Sequence, residues 1–322
     1  MRTPHGALLL LFIVACLRGA YSGGGWSRFT SIISFGDSYA DTGNLVMWAD
    51  PVLPGLLLKN LPYGETFFGH PTGRATDGRL VLDFIAEALG LPSMPLYLAR
   101  GSNFSAGVNF AVVGAPALNL TYLQGLNLTV NPPINSSLHD QLVWFQKLKP
   151  SLCNGQGTDC FGSSAVAVMA RGGGGGRMEA VVWPREWAAE TYVVPLASWR
   201  NVGVLAESSG WAMHVKMLRY KYPHTKIVAA EFYKPFLTFL DMPGDFGLNS
   251  STTLLACCGA GGPPYNYDFN AGYGLPGVKA CADPSQALHW DGFYLTESAY
   301  RAITDGWLHG PYADPPILHI AR

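Results

Sequence analysis

A serine at the end of an apolar run is the first residue of this chain that could do chemistry. The stretch Ser31–Asn44 reads S-I-I-S-F-G-D-S-Y-A-D-T-G-N, and its apolar run breaks at Gly36, just before Ser38. A buried strand that ends in a tight turn places such a residue at the C-terminal edge of a sheet, where open α/β sheets carry their active sites. A serine there can attack an ester carbonyl if a base accepts its proton and donors stabilise the oxyanion. The composition also fits an ordinary strand-to-loop turn.

Further stretches follow this one in a definite order. They are G-V-N-F-A-V-V-G-A at Gly107–Ala115, A-C-C-G-A-G-G-P at Ala256–Pro263, C-A-D-P-S at Cys281–Ser285, W-D-G-F-Y-L-T-E at Trp290–Glu297 and G-P-Y-A-D-P-P at Gly310–Pro316. Together with F-G-D-S-Y-A-D-T-G-N, they resemble the plant secreted branch of the GDSL esterase/lipase family, the SGNH-type hydrolases. The resemblance covers roughly Phe29–Leu152 and Lys216–Pro316.

The resemblance implies both a fold and an activity. The fold is α/β, with three α/β/α layers around a mostly parallel central sheet. The activity is hydrolysis of a carboxylic ester through a serine acyl-enzyme, without a metal or cofactor. Ser38 would be the nucleophile and Asp291 the orienting acid, and the backbone N–H groups of Ser38 and Gly107 would be oxyanion donors. From its residues alone, Gly107 could equally mark a permissive bend in a core strand.

Two departures from the family pattern put this activity in question. Relatives end the site with Asp-x-x-His, but this chain reads Asp291-Gly292-Phe293-Tyr294. A tyrosine has a reference pKa near 10, which makes it a poor proton acceptor at neutral pH. His289 could take over as the base, although an ordinary loop histidine is the simpler interpretation.

The second departure lies in the segment 165–209. Relatives follow a strand here with a Gly-Gly-Asn-Asp turn whose asparagine is a third oxyanion donor, whereas this chain has Gly172–Gly176 and no asparagine between Asn154 and Asn201. A further strand and its connecting segment are also missing, so we expect the sheet to lack one strand. The chain is either an aberrant gene model or splice product, or a shortened paralogue. The first is favoured because the resemblance resumes on both sides.

Composition and charge narrow the class of protein further. The chain has 322 residues, 48% of them hydrophobic, and a net charge of −1. This predicts one large domain at 23–322 and gives no electrostatic basis for binding nucleic acid or an anionic membrane. Residues 1–22 read as a secretory signal peptide, with Arg2 before the apolar run Ala7–Leu17. We see no other stretch long enough to span a membrane.

Cysteines and glycosylation sequons agree with an oxidising, secreted setting. Without the signal peptide, five cysteines remain, so at least one thiol has no internal partner. Cys153 and Cys160 are close enough to form a small loop. Sequons for N-glycans occur at Asn103, Asn119, Asn127, Asn135 and Asn249.

Local patterns predict the elements that position the site. Apolar periodicity and capping residues indicate helices at Asp77–Gly90, Ser136–Leu148, Ala206–Lys221, Tyr233–Leu240 and Thr296–Leu308. Short apolar runs indicate strands at Gly107–Ala115, Ser163–Ala170 and Lys226–Phe232.

The sequence therefore predicts a GDSL-type ester hydrolase with weak or lost activity. Its substrate would be a small-molecule or cell-wall ester, such as an acyl lipid, an acetylated sugar or a phenolic ester. The alternatives are an inactive paralogue that binds a glycan or an ester, and an aberrant product that does not fold stably.

Overall fold

The computed structural model describes most of the predicted domain. The described residues are 29–50, 55–116, 121, 136–153, 161, 163–171, 178–184, 210–223, 226–262, 264–267 and 278–321. The predicted signal peptide, the pentaglycine and the sequons at Asn119, Asn127 and Asn135 lie outside them.

The described residues form one six-stranded sheet in the order β2-β1-β3-β4-β5-β6. The strands are β1 (Ser31–Gly36), β2 (Gly107–Asn109), β3 (Ser164–Arg171), β4 (Met178–Pro184), β5 (Val228–Glu231) and β6 (Ala313–Asp314). The central β1 pairs in parallel with both β2 and β3, while β4 and β6 run antiparallel to their neighbours. The predicted α/β class is confirmed, and the parallel part of the sheet consists of β1, β2 and β3.

The strand β4 was not predicted, because its sequence M-E-A-V-V-W-P shows no clear alternation. It lies in the segment expected to be atypical and pairs with both β3 and β5. The absence of one strand relative to the family stays a prediction.

Seven α-helices accompany the sheet within the described residues. They are α1 (Asn44–Ala49), α2 (Val81–Ala88), α3 (Leu138–Leu152), α4 (Gly210–Lys221), α5 (Tyr233–Asp241), α6 (Glu297–His309) and α7 (Ile317–Ala321). None of these helices combines the length and the apolar character needed to cross a bilayer.

The helix α2 begins four residues later than its pattern suggests. Asp77, the first residue of the predicted helix, instead accepts a hydrogen bond from the Glu297 N–H at 2.7 Å and so serves the start of α6. Asp83 accepts from the Leu80 N–H at 2.9 Å and fixes the actual start of α2. A contact across 220 residues has therefore displaced a local cap.

Alternate side chains of β1 enter two different cores, as the period of a strand requires. Ile32 packs in a cluster with Ile85 of α2 and Ile303 of α6. Ile33 and Phe35 pack in a second cluster that includes α3. Helices thus cover both faces of the sheet, which gives the predicted three layers.

Disulfide bonding agrees with an odd number of cysteines. Cys257 and Cys281 form a disulfide, and Cys258 is a buried free thiol. Cys153 is also disulfide-bonded, whereas Cys160 lies outside the described residues.

Gly107 allows β2 to approach β1 closely. Its φ is +123°, and a Cβ atom at this position would lie 1.9 Å from the Ile32 carbonyl oxygen. The missing side chain therefore makes room for the neighbouring strand.

We predict that Gly107→Ala lowers the free energy of unfolding by about 4 kcal/mol. The Ile32 backbone would have to move away from the new Cβ atom, and the alanine would also have to adopt an unfavourable φ. Gly101→Ala is the matched control, since Gly101 has a φ of +76° but a Cβ atom there would have no neighbouring atom within 4 Å. It should cost only about 1 to 2 kcal/mol. Urea denaturation of both variants measures the difference, and equal losses would contradict the close approach.

Candidate active site

Ser38 lies in a tight turn directly after β1. The Asp37 carbonyl accepts hydrogen bonds from the N–H groups of Ala40 at 3.1 Å and Asp41 at 2.9 Å. The Asp37 carboxylate also accepts from the Tyr39 N–H at 3.1 Å. Ser38 exposes 9% of its surface. The turn thus holds the serine at the C-terminal end of a central strand, as the sequence predicts.

A buried carboxylate ties this turn to the chain that follows β2. Asp41 is fully buried and accepts hydrogen bonds from the N–H groups of Gly43, Asn44 and Leu45 at the start of α1. Its Oδ2 atom also accepts from the Val113 N–H at 2.9 Å. Burial raises the pKa of Asp41 to about 6, although the four backbone donors oppose this shift.

Two buried amide side chains reinforce the same junction. The Asn109 Nδ2 group donates to the Ala40 carbonyl at 2.7 Å and to the Thr42 hydroxyl at 2.8 Å. The Asn44 Nδ2 group donates back to the carbonyls of Asn109 and Ala111. These bonds fix the position of the serine turn relative to the segment after β2.

Asp291 is buried close to the turn and is fully hydrogen-bonded. Its Oδ1 atom accepts from the N–H groups of Phe293 at 3.0 Å and Tyr294 at 2.9 Å. Its Oδ2 atom accepts from the Tyr63 hydroxyl at 2.8 Å. Burial raises the pKa of Asp291 to about 6, and these hydrogen bonds lower it in part.

The role of Tyr63 was not predicted from the sequence. It lies in a loop rich in proline, glycine and aromatic residues. Its contact with Asp291 spans 228 residues, so no local pattern could have revealed it.

The segment Asp291–Tyr294 is held in place from the far side by the start of α6. Asp77 accepts a hydrogen bond from the Glu297 N–H, and Arg79 forms a buried ion pair with the Glu297 carboxylate at 2.8 Å. The Arg79 N–H also donates to Glu297 Oε2 at 2.9 Å. Because α6 begins three residues after Tyr294, these contacts limit its movement.

Tyr294 occupies the position next to the serine. The Ser38 side chain is a hydrogen-bond partner of the Tyr294 phenol, and the Tyr39 ring packs against it with centroids 5.5 Å apart. Burial raises the pKa of Tyr294 far above its usual value, and the nearby Asp291 carboxylate raises it further. The phenol is therefore protonated at neutral pH and cannot accept the serine proton.

Gly107 does not lie beside Ser38, which corrects its predicted role as an oxyanion donor. It pairs with Ile32, near the start of β1. Four residues of extended strand separate Ile32 from Gly36, a distance of roughly 13 Å at 3.3 Å per residue. Because the chemistry belongs to the opposite end of the strand, Gly107 cannot reach the carbonyl that Ser38 would attack.

Gly114 is the glycine that follows β2 on the side of the serine turn. The Val112 N–H donates to the Gly36 carbonyl at 3.2 Å, which places this segment beside the end of β1. Gly114 is exposed, with a φ of +79° and open space where a Cβ atom would lie. Its N–H makes no hydrogen bond with another described residue. Gly114 belongs to the same sequence block, Gly107–Ala115, as Gly107. Its position relative to Ser38 could be known only from the register in which β1 pairs with β2.

The described side-chain contacts of His289 do not include Ser38. Its ring packs against Phe236 with centroids 5.7 Å apart, and its buried Nδ1 atom has no hydrogen-bond partner among the described residues. Burial lowers the pKa of His289. The hydrogen-bond partners of Asp291 described above do not include it. Nor do the described residues contain a cluster of side chains that could bind a metal ion.

Comparisons with known proteins find a matching family model and similar plant proteins. Residues 32–153 match the family model described as GDSL-like Lipase/Acylhydrolase. The chain is similar to the Arabidopsis thaliana GDSL esterase/lipase At1g28600, with 38% identity over 90% of this chain and 86% of the relative. It is 36% identical to GDSL esterase/lipase At2g27360 over 90% and 86%, and 35% identical to GDSL esterase/lipase At5g45910 over 89% and 92%, both from the same plant.

The alignment with the first of these relatives has 348 positions, more than the 322 residues of this chain. The relative therefore has residues that have no counterpart here, and the expectation that they form one missing segment stays a prediction.

We predict that Asp291→Asn flattens the pH dependence of stability. The folded pKa of about 6 lies above the ordinary value of 3.8, so the folded state retains a proton that the unfolded state releases. This contribution is complete below pH 4 and is lost as the pH rises through 6. The parent should therefore lose on the order of 2 kcal/mol more than the variant between pH 4 and pH 6.5.

Urea denaturation at several pH values measures this difference. Asp245→Asn, at an exposed aspartate, is the control and should behave like the parent. Parallel curves for the parent and Asp291→Asn would contradict the inferred burial of the carboxylate.

Proposed function

Because the chain belongs to the GDSL esterase/lipase family, we propose that it is a secreted ester hydrolase whose activity is weak or lost. The observation that carries this proposal is the Tyr294 phenol beside Ser38, at the position where a base is needed. Ser38 would attack the ester carbonyl, and Asp291 would orient the residue at the base position, which is Tyr294 in this chain.

The missing base accounts for the largest part of the expected loss. The Ser38 hydroxyl must transfer its proton as its oxygen attacks the carbonyl carbon. A positioned general base contributes about 10²- to 10⁴-fold to such a step. Since the pKa of Tyr294 is raised by burial, its phenol cannot supply this contribution at neutral pH.

Two backbone donors remain for the oxyanion in this proposal. They are the N–H groups of Ser38 and Gly114, which replaces Gly107 because it follows β2 on the side of the turn. The expected third donor, an asparagine side chain, is missing from the sequence. Loss of one such donor typically costs about 10²- to 10³-fold in turnover.

The proposed substrate is a small-molecule or cell-wall ester, and no cofactor takes part. Acyl lipids, acetylated sugars and phenolic esters all fit this chemistry. Secretion would follow from the predicted signal peptide. Asn103 and Asn249 are exposed, which supports them as N-glycan sites, and the remaining candidates are Asn119, Asn127 and Asn135.

A second candidate function is the binding of an ester or glycan without turnover. The Phe293 ring is 49% exposed and packs at 5.3 Å against Tyr267, next to Tyr294. Exposed aromatic rings at a cleft can bind the apolar faces of ligands. Binding that survives Ser38→Ala favours this function, whereas no binding to any cell-wall fraction counts against it.

The third alternative, an aberrant gene product that does not fold stably, has a direct test. A single cooperative thermal transition of the purified protein would rule it out. Transcript sequence across residues 165–209 would establish whether the pentaglycine is genuine.

We predict that Tyr294→His raises Ser38-dependent turnover of p-nitrophenyl acetate by about 10-fold or more, because an imidazole can accept the proton. The rise should stop well below the activity of ordinary relatives, since the third oxyanion donor stays absent. Tyr294→Phe, which removes only the hydroxyl, is the control and should give no gain.

The double variant that also carries Ser38→Ala defines the background rate. The proposal fails if the unmodified chain already hydrolyses the ester as fast as ordinary relatives and loses this activity with Ser38→Ala.

A further inference from the structure

A glutamine side chain is buried at the point where β1 ends. Gln141 belongs to α3 and is fully buried, although its amide is strongly polar. The sequence suggests only that it lies in the first turn of an amphipathic helix. A buried polar group without partners costs free energy, so its hydrogen bonds indicate what it does.

All the polar atoms of Gln141 contact backbone groups. Its Oε1 atom accepts from the Gly36 N–H at 2.8 Å, and its Nε2 group donates to the Gly36 carbonyl at 2.7 Å. Nε2 also donates to the Ser136 carbonyl at 2.9 Å. The opposite orientation of the amide would place Nε2 against an N–H and Oε1 against two carbonyls, so the network permits only this one.

The pairing fixes the last residue of the strand before the serine turn. Both polar groups of Gly36 are held by one side chain, and the Val112 N–H shares the Gly36 carbonyl at 3.2 Å. Gly36 has a φ of +146°, a conformation that most residues avoid. Ser38 follows two residues later, so a rotation at Gly36 would move the Ser38 hydroxyl.

We propose that Gln141 is a positioning residue that sets the direction in which Ser38 leaves β1. It acts through the Gly36 backbone and does not touch the reacting atoms. Its kinetic role rests on the proposed function, whereas its hold on the turn does not. Misplacing a reacting group by about 1 Å can cost roughly 100-fold in rate, so a side chain that fixes the direction of Ser38 would have a large effect on turnover.

The first experiment measures how firmly the serine turn is held, in protein that keeps Tyr294. Gln141→Met keeps the length of the side chain but removes its donor and acceptor. Hydrogen exchange of peptides covering residues 31–41, followed by mass spectrometry, should become roughly tenfold faster. Gln146→Met is the matched control, because Gln146 is an exposed glutamine on the same helix, and it should leave exchange unchanged.

The second experiment uses the Tyr294→His protein and p-nitrophenyl acetate. Adding Gln141→Met should lower kcat by about 10- to 100-fold with little change in KM, because ester binding does not require the serine to be aligned. Gln141→Glu keeps the acceptor for the Gly36 N–H and should restore part of kcat. Gln146→Met should alter neither constant.

The outcomes separate the two proposals. If Tyr294→His shows no turnover, the missing base does not account for the loss of activity and that part of the proposed function fails, while hydrogen exchange still tests the hold of Gln141 on the turn. Unchanged exchange at residues 31–41 in folded Gln141→Met overturns the positioning role, and so does an unchanged kcat in the Tyr294→His protein. If Gln141→Met does not fold, Gln141→Glu replaces it in both experiments, with the same results expected to a smaller degree and the same overturning outcomes.

Discussion

The parallel pairing of β1 with β2 and β3 is the constraint on which the site depends. Parallel strands bring their C-terminal ends to one edge of a sheet, so the chain after β1 and the chain after β2 emerge side by side. For that reason, Ser38 and Gly114 both lie at this edge of the sheet. A shift of one residue in the register would reverse the faces of the side chains on β1 and would remove Ile32 from its core.

Buried polar groups keep that edge in a single arrangement. Asp41, Asn44, Asn109 and Gln141 are all fully buried, and each forms several hydrogen bonds with the backbone. Because leaving any of these groups unpaired is costly, alternative positions of the turn are disfavoured. The same network explains how the scaffold around Ser38 can persist although Tyr294 stands in place of a base.

Much of this arrangement was predictable because it is local. The apolar run that breaks before Ser38 and the periodic helices follow from nearest neighbours in sequence. The failures share one cause, which is distance along the chain. Asp77 caps α6 rather than α2, and Gly107 makes room for a strand rather than a ligand. The contacts of Tyr63 and Gln141 cross 228 and 105 residues, so they could not be inferred from spacing.

The buried thiol of Cys258 has a consequence for how the protein fails at high temperature. In the native state it is fully enclosed, and burial raises its pKa to about 12, so it is inert. Unfolding would release an ordinary cysteine next to Cys257, which is bonded to Cys281. A released thiolate can attack that bond and exchange partners. Heat inactivation should therefore become progressively irreversible in alkaline buffer, and alkylating the thiol during unfolding should restore recovery.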